Sequence, residues 1–260
     1  MQTSSNEEAN TPFLLHLLPE LVDDFSAMHS RQTKQKAYHV SSSGDAPRLG
    51  LRQGNDSIAL DQWFSQRAKA NLGHVQDLRH QILELQNYGA PLHYVRRARK
   101  ALNEKVNRAH QLNTLSSRPL EKKLRARKSG QCRALVDIAV NNAQAGCAEQ
   151  SFGALIAILQ TRRAKDKSLA SFAEALAQDE LRHSQLAWDL HYWYRSQLSH
   201  YSLQIVDNEL NSALQVLSTS NSDHPFSATD HEELGLPREG ERQKLATHFA
   251  EAIAPYALAS

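Results

Sequence analysis

The sequence predicts an all-α protein, an antiparallel four-helix bundle with a long crossover and an additional C-terminal helix. Three observations carry the prediction: apolar residues recur at steps of three and four over long stretches, no stretch sustains the alternation of a strand, and the main breakers, Gly89-Ala90-Pro91, Pro119, Pro225 and Pro237, fall between those stretches. No heptad register persists, which favours a bundle over an extended coiled coil.

Taken in order, residues 1–57 are rich in Ser, Asn, Gln and Gly, contain the breaker cluster Ser41 to Pro47, and read as a polar N-terminal arm. From Ile58 to Tyr88 only Gly73 interrupts helix-compatible sequence, with Val75, Leu78, Ile82 and Leu85 on one stripe. Gly89-Ala90-Pro91 then suits a helix exit and restart, because Gly tolerates a left-handed cap and Pro suits a first turn. The second helix follows to about Leu115. The basic run 116–129, containing Pro119, reads as the crossover. A third helix is expected from Gln131 to Arg162 and a fourth from about Leu169 to Leu198, continuing after a break toward Leu217. Ser218 to Leu236 reads as a polar loop around Pro225, and Pro237 opens a last helix to about Ala254. The bundle thus occupies 58–198, and 199–260 is a C-terminal helical extension.

Composition narrows the function. The 260 residues carry 30 Lys plus Arg against 28 Asp plus Glu, a balance that demands no polyanionic partner. The basic runs Arg96–Lys100 and Lys122–Lys128 lack any zinc-finger spacing, phosphate loop or aromatic platform, so a nucleic-acid partner is disfavoured. No run approaches the length of a membrane span. The acidic start MQTSSNEEAN is unlike a secretory signal, and a cytoplasmic location is expected. Cys132 and Cys147 are too few for an all-thiolate zinc site and read as core residues.

One spacing could carry chemistry. In Asp179-Glu180-Leu181-Arg182-His183, Glu180 and His183 stand three apart on one helical face and could bind one metal ion. Together with Gly146-Cys147, Glu149-Gln150-Ser151 and Leu186-Ala187-Trp188, this motif resembles a family of bacterial ferritin-like domain proteins, related to the di-iron carboxylate four-helix bundles. Gly89-Ala90-Pro91 and Ala101-Leu102-Asn103-Glu104 are similar to corresponding stretches of that family, and the resemblance spans roughly 58–198.

What the resemblance implies is a metal centre at Asn71, Glu104, Asn107, Gln150, Glu180 and His183, of which only Glu104, Glu180 and His183 match the family pattern in type. The other three positions are amides, and Glu149, one residue from Gln150, is turned about 100 degrees away on an α-helix. Two outcomes stay open. Glu104, Glu180 and His183 retain iron or manganese in an oxidoreductase, or the set is a metal-free buried polar network in a binding scaffold. In the second case inward glutamates need a cation or a proton; His183 is the obvious partner, while Lys105, Arg108 and Arg182 are near in sequence but need not face inward. A homodimer, another protein or a small molecule are the partners such a scaffold would take.

Overall fold

The computed structural model describes residues 13–29, 58–116, 132–219 and 226–257. Among them every regular element is helical and no strand occurs, as the all-α expectation requires. The crossover expected over 116–129 lies outside the described residues apart from Ser116, as does most of the polar arm.

Helices α2 (Ile58–Asn87) and α3 (Leu92–Leu115) form a hairpin. Its turn is set by Gly89, at φ 68°, whose left-handed backbone lets Ala90 N–H bond back to Leu85 C=O at 2.8 Å. Pro91 then supplies the extended cap of α3. Ser116 at the end of α3 donates to Asp61 at the start of α2 at 3.2 Å, so the two run antiparallel. The third helical run is continuous but not uniform: α4 (Leu135–Asn141), a π-helical segment Asn142–Gln150, then α5 (Ser151–Arg163). Helix α6 (Lys167–Gln197) begins at Asp166, whose carboxylate accepts the Leu169 N–H at 2.8 Å. Asn142 reaches the Ala187 carbonyl at 2.8 Å and Trp188 Nε1–H donates to Ser151 at 3.1 Å, while Gln150 meets Glu180; α6 therefore runs antiparallel to the third run. Close approach is needed there, because a Cβ on Gly146 would stand 2.7 Å from the Ala187 Cβ.

The segment read as a polar arm also contains a core element. Helix α1 (Leu14–His29) places Leu14, Leu18, Val22 and Phe25 at steps of four and three, all fully buried against α5, α6 and the last helix of the chain. Arg162 clamps it by pairing with Asp23 and donating to the Pro19 carbonyl. Removing a side chain from this stripe leaves a void the helix cannot close. Leu18→Ala is expected to cost about 2–5 kcal/mol in a denaturant melt, with no change in helical content below the transition.

Three further helices follow α6 among the described residues. Helix α7 (His200–Thr219) continues after the expected break. Within the stretch read as a loop, Ser227 and Asp230 form a capping box that starts α8 (Ala228–Leu234), which Gly235 ends in the left-handed conformation. Helix α9 (Glu239–Ala257) packs on α7 and closes over α1. No described helix is long and apolar enough to cross a membrane.

Candidate functional site: an ion-paired centre between α3 and α6

The inner stripe of α3 runs through Ala98, Ala101, Lys105, Ala109 and Leu112, so the side chain that enters the protein at mid-helix is Lys105, which is 2% exposed. Its ammonium donates to both oxygens of Glu180 on α6, at 2.8 and 2.7 Å. Gln150 adds an amide donor to the same carboxylate at 3.4 Å. Burial alone would raise the Glu180 carboxyl, but Lys105 and then His183 outweigh it and hold it at about 2.

Glu104 sits on the shoulder of α3, half-buried, and faces His183 rather than Glu180: its Oε2 lies 2.7 Å from His183 Nε2, and Arg182 donates to Oε1 at 3.1 Å. Burial opposes ionisation here too; the His183 contact and Arg182 keep Glu104 below the ordinary carboxylate value. His183 Nδ1 is buried without a hydrogen-bond partner and is 4.0 Å from Glu180 Oε2. Further along the same interface Arg108 pairs with Asp179, which Arg182 also binds at 2.5 Å, and Arg97 pairs with Asp189. The result is a ladder of alternating charges between two antiparallel helices.

The six positions carried over from the resemblance do not converge as a ligand set. Glu104, Glu180, His183 and Gln150 are gathered, but Asn107 is exposed on the outer face of α3, because its inner neighbours are Lys105 and Arg108. Asn71 is buried on α2, yet its amide turns back to the Arg67 carbonyl at 2.9 Å and its Oδ1 has no partner. His74 lines a narrow cavity of about 80 Å³ with Lys105, Gln150 and His183, whereas His110 is exposed. An ammonium bonded to both oxygens of Glu180 fills the role a metal cation would have, so the donor set does not fit an iron or manganese centre. Among the described residues no group of three or more His, Cys, Asp or Glu side chains is disposed to hold a metal.

The residue that sequence reasoning underweighted is Lys105, and its signal was the stripe of small residues on which it falls. Of the two cysteines read as core, Cys147 is buried, and burial pushes its thiol well above its ordinary value, while Cys132 is exposed. No family model, curated protein or solved structure matches the chain.

Proposed function

We propose that the chain is a ferritin-like helical scaffold that binds a partner without metal, its bundle centre held by the Lys105–Glu180 ion pair. The observation that carries this reading is the bidentate contact of a buried ammonium with the one fully inward carboxylate of the α6 motif. The directions of the helices support a ferritin-like connection: α3 is antiparallel to α6, through the pairs of Arg97 with Asp189 and Arg108 with Asp179, and α6 is antiparallel to the third run. The third run is then parallel to α3, and two consecutive parallel helices need a long crossover.

The test is elemental. Protein expressed in medium supplemented with iron, manganese, zinc and copper, and purified without a metal-binding tag, is expected to carry far less than one equivalent of any metal per chain. Its melting temperature should not move with a chelator. One or two equivalents, lost on Glu180→Gln, would instead establish the iron- or manganese-dependent oxidoreductase reading.

A further inference from the structure

A second cavity, of about 300 Å³, opens nearer the start of α2 on the same face of that helix, where α2, α5, α7, α8 and α9 meet. That volume lies at the lower end of ordinary small-molecule sites. Its walls are apolar and aromatic, with Trp63 and Phe152 buried and Leu217, Leu236 and Pro237 beside them. Such a lining favours an apolar ligand body.

Two polar groups in this lining lack partners among the described residues. The Arg67 guanidinium stacks near Trp63, with its Cζ 5.8 Å from the ring centre, and makes no hydrogen bond or ion pair there. Burial lowers its pKa, and the carboxylate whose charge acts on it, Glu180, is already committed to Lys105. His231, on α8, is 9% exposed, and its buried Nδ1 has no hydrogen-bond partner. A buried ring nitrogen left unsatisfied beside an apolar cavity is costly unless something bonds to it, and the partly covered Arg67 guanidinium adds an uncommitted positive charge to the same lining. An acceptor with negative charge pairs with the guanidinium, and with the ring when it carries its proton on Nδ1.

The other charges in the lining limit how much negative charge fits. Arg242 lies over the Phe152 ring, donates to the Leu217 carbonyl at 3.3 Å and stands 3.9 Å from Glu239. Glu149, an exposed carboxylate at the rim, opposes a dianion. We infer that this cavity is a binding site for a small monocarboxylate with an apolar body, its carboxylate on Arg67 and His231 and its body between Trp63 and Phe152. This names a ligand class for the scaffold reading above, at a site separate from the Lys105–Glu180 pair.

Decanoate and the neutral decanol, titrated separately into the full chain by calorimetry, test it. Saturable decanoate binding at one site is expected, about tenfold or more tighter than decanol. Arg67→Met should remove that preference while leaving decanol binding unchanged. Absence of saturable decanoate binding, equal affinity of the wild-type chain for the two probes, or an Arg67→Met variant that keeps the preference would each overturn the inference. The wild-type comparison decides the matter even if the variant does not fold. Failure here leaves the metal measurement untouched, and stoichiometric metal would sink the scaffold reading without touching this cavity.

Discussion

Lys105→Met is expected to destabilise the protein by about 3–5 kcal/mol, the cost of leaving the buried Glu180 carboxylate without its cation. Methionine keeps the length and the apolar stem of lysine, so packing along Ala101 and Leu112 changes little and the loss is electrostatic. For that reason Lys105→Met/Glu180→Leu should recover most of the stability, since replacing both partners leaves no buried charge to satisfy. Urea melts of the two single variants and the double variant measure this. Equal losses in the single and double variants would mean that packing, and not the unpaired charge, dominates. Acidity gives an independent reading. Glu180 is depressed in the folded state to about 2 from an ordinary 4.5, so its contribution is fully present above pH about 4.5 and is lost as pH falls toward about 2. Without Lys105 that depression is largely lost, and the gap between wild type and Lys105→Met should narrow over the same window.

Gly235→Ala is expected to cost about 3 kcal/mol or more, and Gly89→Ala only about 1–2 kcal/mol. Both glycines are left-handed, at φ 69° and 68°, so both substitutions meet the same backbone penalty. They differ in what surrounds them. A Cβ on Gly235 would lie 2.4 Å from the Ala164 nitrogen and 2.8 Å from its Cα, backbone atoms that follow α5 and cannot step aside as a flexible side chain would. Gly89 has nothing within 4 Å of the corresponding position. Thermal melts of the two variants compare a conformational penalty alone with the same penalty plus a backbone clash. Equal melting temperatures would show that α8 moves away from the end of α5 at little cost. A larger loss at Gly235 would mark the α5–α8 junction as rigid, and with it one wall of the cavity at His231.

How far the sequence revealed this arrangement depends on the distance over which each feature is encoded. The α2–α3 hairpin was legible because Val75, Ile82 and Leu85 repeat on one face and Gly89-Ala90-Pro91 is a local stop and start. Helix α6 was legible for the same reason. Helix α1 was equally well written in Leu14, Leu18, Val22 and Phe25, but the polar composition of the surrounding segment masked a stripe of only four residues. At the centre, the motif spacing drew attention to Glu104 and Asn107, whereas the small residues Ala98 and Ala101 turn the inner face toward Lys105. A lysine reads as a surface residue until its counter-charge is known, and Glu180 is far away in sequence. The cavity at Arg67 could not be read at all. It joins side chains from five helices, and no local pattern places His231 beside α2.

The π-helical stretch at Asn142–Gln150 bears on how this chain should be lined up with any other. Each π turn holds more residues than an α turn, so positions counted at α spacing slip out of phase within this stretch. The comparison of Glu149 with Gln150 falls inside it, and there the rotation of about 100 degrees per residue no longer applies. Ordinary α winding with fewer residues can span the same rise. A homologue shortened here can therefore keep Ile138 on one side and Phe152 on the other facing the core. Gaps belong in this window, and α6, unbroken from Lys167 to Gln197, is the ruler against which to place them.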